Sequence, residues 1–199
     1  MQNKLIKMGM VAAMVMTGVS AAHAGDQPQV TITGDVSAVS CTVNASASQN
    51  SVSLGNRAAS QFAAGAGIYS QLHYVADTKK TFSVGLSGCT GTAAKDGVVS
   101  LMVTGTPIAG ADGVYSGGVK ATVGTAGASL AAPLDLTKPN EDALITNGTA
   151  VPVYKFVSGD TSANGDGKFV TFTTYMASTS ANPAPQHIEA PLNFSIAYN

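Results

Sequence analysis

An all-β sandwich is the fold the sequence predicts, on three observations. Short runs alternate apolar and polar residues with period two. The last is "PLNFSIAYN" (191–199), where Leu192, Phe194, Ile196 and Tyr198 alternate with Asn193, Ser195, Ala197 and Asn199. Only 11% of the chain is charged, and no segment carries the long charged face of an amphipathic helix. Turn signals such as Asn147-Gly148 and Asn164-Gly165 punctuate the runs.

The first segment is not part of that fold. "MQNKLIKMGMVAAMVMTGVSAAHA" has Lys4 and Lys7, an apolar run from Met8 to Val19, and Ala22-His23-Ala24. This is the layout of a secretory signal peptide, 1–24, cut after Ala24. The run falls short of the roughly 20 residues a membrane span needs. Losing Lys4 and Lys7 takes the formal charge from −1 to −3. No basic patch remains, which argues against a nucleic-acid partner.

The elements then follow in order. In "QVTITGDVSAVSCTV" one face carries Val30, Ile32, Gly34, Val36 and Ala38, and the phase then slips to Val39, Cys41 and Val43. A slip inside an extended stretch predicts a bulge or a change of partner. Val52 and Leu54 suggest a short strand, and residues 57–64 a short helix. "KKTFSVGLSGCTG" (79–91) reads as a strand with Phe82, Val84 and Leu86 inward. "GVVSLMVTG" (97–105) is apolar on both faces, as in a central strand. Thr106–Leu130 reads as glycine-rich loop. "APLDLTK", "AVPVYKFVSG", "KFVTFTTYMAS" and "HIEAPLNFSIAYN" supply the remaining strands. About eight short strands at this spacing predict an immunoglobulin-like sandwich.

Little in the chain suggests chemistry. His73 and His187 fall in expected loops, too few ligands for a zinc or copper site. "GDTSANGDGK" lacks the spacing and final Glu of a calcium loop and reads as a solvated turn. No nucleotide-binding or nucleophile motif is present. The expectation is no enzyme, no metal and no cofactor. The two cysteines, Cys41 and Cys89, are an even count in an exported chain and predict a disulfide.

Three segments together carry a resemblance: "VTITGDVSAVSCTV", "KTFSVGLSGC" and "FVTFTTYMAS…APLNFSIAYN". They place Gly34, Val36 and Cys41, then Phe82, Leu86 and Cys89, then the penultimate Tyr198, in the order seen in chaperone–usher fimbrial subunits. The sequence resembles the major pilins of the type 1 fimbrial family over nearly all of residues 25–199.

That resemblance implies an all-β, incomplete immunoglobulin-like β-sandwich, completed by a donor strand from a neighbouring subunit. It implies three parts: the signal peptide 1–24, an N-terminal donor-strand extension 25–33, and a pilin domain 34–199. Val30, Ile32 and Gly34 would be donor residues, and Leu192, Phe194, Ile196, Tyr198 and Asn199 would form the groove and C-terminal strand. Only Gly25–Gln29 precede Val30, a shorter extension than the family's, so either cleavage falls earlier or Val36 and Ala38 also take part. The implied partners are identical subunits in a head-to-tail polymer, a periplasmic pilus chaperone met by the Asn199 carboxylate, and an outer-membrane usher. The implied location is a fimbrium on the cell surface, reached through the periplasm. A second reading stays open: a minor or tip-associated single-domain pilin that binds a host receptor directly, through the stretch 106–130.

Overall fold

The computed structural model describes residues 39–45, 51–117 and 125–198 of the chain. The signal peptide, the extension 25–33 with Val30 and Ile32, Gly34, Val36, Ala38 and the terminal Asn199 lie outside the described residues.

Two antiparallel sheets face each other. The larger contains β1 (Val39–Ala45), β2 (Ala63–Ala64), β3 (His73–Gly91), β5 (Pro107–Ile108), β6 (Ala111–Tyr115), β7 (Ala126–Ser129), β8 (Ala131–Pro133), β9 (Asp142–Leu144) and β11 (Phe169–Ser178). Its main path runs β1-β3-β11-β7-β6-β5. The smaller sheet has the order β10-β4-β12, from β10 (Thr149–Lys155), β4 (Val98–Gly105) and β12 (Leu192–Tyr198). The described residues thus form a β-sandwich, with twelve strands where the sequence suggests eight.

The core lies between the sheets. Val84, Leu86, Val99, Leu101, Val103 and Phe172 are each at most 2% exposed. Val84 and Leu86 follow the expected alternation on β3, the sequence reads β4 as apolar on both faces, and Phe172 comes from β11. Together they supply the apolar faces that drive the layers together. Central β4 is paired on both sides, by β10 and by β12.

The differences from the sequence reading have local causes. β3 begins at His73, six residues before the expected Lys79, so His73 lies in a strand and not a loop. The β3–β11 register shifts within this earlier part of the strand, between Thr174 and Met176 on β11, which interrupts the regular alternation there. Thr78, fully buried, repairs the ladder: its hydroxyl accepts from the Met176 N–H (2.9 Å) and donates to the Val75 carbonyl (2.6 Å). Val52 and Leu54 form no strand; that segment is extended and unpaired by any ladder. The expected helix at 57–64 is one 3-10 turn, Ala59–Gln61, followed by β2. Residues 106–130 hold β5, β6 and β7. Their small residues hide the pattern, because here close approach matters more than side-chain volume. A Cβ at Gly127 would sit 2.4 Å from the Tyr115 carbonyl oxygen. The "APLDLTK" strand stops at Pro133, and Asp135 then closes a turn by accepting from the Thr137 N–H and hydroxyl.

Phe169 is 63% exposed, yet it has a structural task. It pairs directly with Gly85 across the β3–β11 ladder, and its Cβ lies 3.2 Å from where a Cβ at Gly85 would stand. An aromatic side chain covering a cross-strand glycine shields backbone that would otherwise be open.

Tyr115 on β6 is fully buried, and its hydroxyl donates to the Ile145 carbonyl at 2.8 Å. Burial pushes its pKa from 10.0 up to about 12, and does the same for Tyr69. A raised folded-state pKa means the neutral form is favoured in the fold. The associated stability is present below about pH 10 and is lost as pH rises towards 12. Urea midpoints measured from pH 8 to 11.5 should therefore fall steeply above pH 10, and Tyr115→Phe should make that fall shallower.

Candidate functional site

The smaller sheet has two outer edges of different character. Edge strand β10 is blunted. It carries Pro152, which cannot donate to a ladder, a register shift between Pro152 and Tyr154, and Lys155 at its end. Edge strand β12 has none of these features. It pairs with β4 without a break, from Leu192↔Gly105 to Tyr198↔Val99. No described strand pairs with its other side.

Gly105 allows that pairing to start. A Cβ there would meet Leu192 Cδ2 and Tyr115 Cδ1, each at 2.8 Å. Along β12, Leu192, Phe194 and Ile196 are only half-buried, although they pack against the main core cluster. Phe194 joins an aromatic group with Phe82 and Phe172, at ring-centroid distances of 6.2 and 5.2 Å. Phe172 is fully buried while Phe194 is half-buried, so the group runs from the closed core towards the surface. That is how a sandwich looks where its core reaches an open seam.

A cleft of about 1110 Å³ lies along this seam. One wall is the extended segment 51–57, with Val52 and Leu54. The other is formed by Ile188, Leu192 and Phe194, over a floor that includes Phe82 and Met176. Arg57 ties the first wall to β3 by an ion pair with Asp77 at 3.1 Å. Ile196 and Tyr198 do not line the cleft; they pack on the core beyond its end.

The disulfide lies where β1 and the second half of β12 come together. Cys41 and Cys89 are bonded to each other, joining β1 to β3. The β1–β3 register shifts between Ser40 and Thr42, so that Gly88 and Cys89 oppose the single residue Cys41. Gly88 has φ 59°, the left-handed conformation such a bulge needs. The phase slip read in the sequence, between Ala38 and Val39, falls at the border of the described residues, and this bulge, whose extra residue lies on β3, is a separate irregularity. Side chains from distant parts of the chain accept the N–H groups of both cysteines. The Cys41 N–H donates to the Tyr198 hydroxyl at 2.7 Å, and the Cys89 N–H donates to Asp166 Oδ1 at 2.7 Å. Sequence reasoning found Tyr198 only as a motif residue and missed Asp166 altogether. The position of Asp166, in a loop 77 residues from Cys89, gives no local signal.

Among the described residues no group of three or more His, Cys, Asp or Glu side chains converges as a metal site would require. What this region offers is an unblunted sheet edge beside a cleft that carries Val52, Leu54, Ile188, Leu192 and Phe194 among polar residues, an arrangement suited to β-strand addition.

A family model described as "Fimbrial protein" matches residues 30–199. The chain belongs to this fimbrial protein family. It is a chaperone–usher fimbrial subunit, a structural component of a pilus that assembles with other subunits. The crystal structure of the P pilus rod subunit PapA is similar, at 16% identity and a TM-score of 0.48, over 87% of this chain and 100% of that one. Comparison with curated proteins finds no match.

Proposed function

We propose that this fimbrial subunit polymerises head to tail with identical subunits by donor-strand exchange, as the structural unit of a surface fimbria that supports adhesion. The observation that carries the reading is the β12 edge: unpaired among the described residues, without charge or proline, and beside a cleft of about 1110 Å³. In this reading residues 1–24 direct export, residues 25–33 form the donor extension, and residues 34–199 form the acceptor domain. Val30, Ile32 and Gly34 present one face of an extended strand to the cleft. The family match covers residues 30–199, which lie after the proposed leader.

The acceptor edge and the donor segment are different surfaces of one chain. The contact is therefore heterologous, and repetition gives an open filament. A periplasmic chaperone protects the edge before assembly, with the Asn199 carboxylate as its anchor, and an outer-membrane usher carries out the exchange. The subunit needs no cofactor and catalyses no reaction in this role.

A chain lacking residues 25–33 but keeping its signal peptide tests the mechanism. Periplasmic monomer on immunoblots should persist, because residues 34–199, the whole acceptor domain that the chaperone protects, remain. Filaments seen by electron microscopy should disappear, because no donor remains. Abundant normal filaments would place the donor elsewhere.

A further inference from the structure

We infer that the Tyr198 hydroxyl is a positioning group that closes one end of the cleft and thereby sets how far an incoming strand can run. This rests on the proposal that the cleft takes up a strand. Three observations lead to it. First, the bulge at Gly88 and Cys89 takes Cys41 out of regular register, so its N–H needs a partner other than the ladder. Tyr198 supplies that partner from the last strand, at 2.7 Å across 157 residues of sequence. Second, the bond spans the two sheets: Cys41 belongs to the larger and Tyr198 to the smaller. β1 and β12 touch here, at the edges of their respective sheets. Third, the cleft stops short of this contact. Its lining on β12 includes Leu192 and Phe194 but neither Ile196 nor Tyr198.

The geometry therefore divides β12 into two parts. Its first half borders open space between the sheet edges. Its second half is drawn onto β1 by a hydrogen bond to a backbone group fixed beside a disulfide. A rigid partner matters, because the Cys41 amide is held by the Cys41–Cys89 bond and by the pairing of β1 with β3. A strand entering along Leu192 and Phe194 meets the Tyr198–Cys41 contact as a stop. The apolar positions of the cleft, Val52, Leu54, Ile188, Leu192 and Phe194, are interleaved with polar ones, and a slip of two residues keeps the same face of an incoming strand turned towards them. An end stop supplies the missing reference point.

The test uses assembled filaments of the whole subunit. A photoreactive benzophenone amino acid is placed at Thr31, which leaves the Val30 and Ile32 face intact, and adducts are mapped by mass spectrometry. In the otherwise natural protein the adducts should fall at one position along the neighbouring subunit's β12. In Tyr198→Phe, which removes only the hydroxyl, they should spread to positions two residues away, and filaments should dissociate in denaturant roughly fivefold faster. A side chain that merely stabilised the fold would change dissociation but leave the adduct position alone. An adduct map for Tyr198→Phe identical to the natural one would overturn the inference. If the natural filament gave no adduct on β12 at all, the strand-acceptor reading itself would fail, and this inference with it.

Should Tyr198→Phe give no filaments, the natural protein decides through hydrogen exchange at the Cys41 amide. Protection that persists in filaments supports a stop that the strand leaves in place. Loss of protection on assembly means the strand breaks the contact, and rejects it.

Discussion

Replacing Cys41 and Cys89 together by Ala should destabilise the folded subunit by about 4 kcal/mol. The bond joins residues 48 apart in sequence. In the chain-entropy account, releasing a loop of that length restores roughly this much freedom to the unfolded chain. Few small domains have more than about 5–15 kcal/mol in total. The corner that the bond braces also holds two side chain-to-backbone hydrogen bonds, from Cys41 to Tyr198 and from Cys89 to Asp166. Gly165 packs against the same point, where a Cβ would stand 3.1 Å from Cys89 Sγ. Loss of the bond should therefore loosen β1, the turn at 162–166 and the end of β12 together. Urea unfolding of the purified protein should show the shift in midpoint. Periplasmic immunoblots should show a matching drop in amount. An unfolding midpoint unchanged by the double substitution would mean the packing of this corner suffices without the covalent link.

Phe172→Ala should cost about 3–5 kcal/mol, the range for a large aromatic removed from a closed core. The ring is fully buried, stacked on Phe82 at 5.4 Å and near Phe194 at 5.2 Å. Phe194→Ala provides the informative contrast. Phe194 belongs to the same aromatic group but is only half-buried in the single chain. Its removal should cost clearly less than that of Phe172 in the monomer, because less apolar area leaves the interior. In the filament, where the proposed donor strand would cover it, the penalty should approach that of Phe172. Denaturant curves on monomer and on filament, for both substitutions, give four numbers that separate core from seam. Equal penalties for Phe194→Ala in monomer and filament would show that assembly does not bury this face.

These two predictions draw on different levels of information, as the fold does. The alternations on β3 and β12 were legible in the sequence because burial of one face imposes period two on a contiguous run, and β4 was legible as apolar on both faces because it is paired on both sides. The cysteine pair and the uncharged last strand were legible for a similar reason. Each depends on a pattern within a short stretch, or on a count.

What the sequence could not provide is what depends on distant residues meeting. The stretch 106–130 looked like loop because Ala126, Gly127 and Ser129 are read by closeness to Tyr115, and no local periodicity records that contact. The start of β3 before Lys79 was not legible because the Thr78 hydroxyl replaces ladder bonds only once Met176 lies opposite it. Val52 and Leu54 looked like a strand, and became a cleft wall, because alternation reports a half-buried face without saying whether another backbone pairs with it. The contrast between a blunted β10 and an open β12 appeared only when both were found at the edges of one sheet. Local side-chain preferences determined which segments would be strands. Which edge stays open, where its cleft ends, and which hydroxyl marks that end were decided by the tertiary structure, because each is a relation between backbone groups that only packing brings within hydrogen-bonding reach.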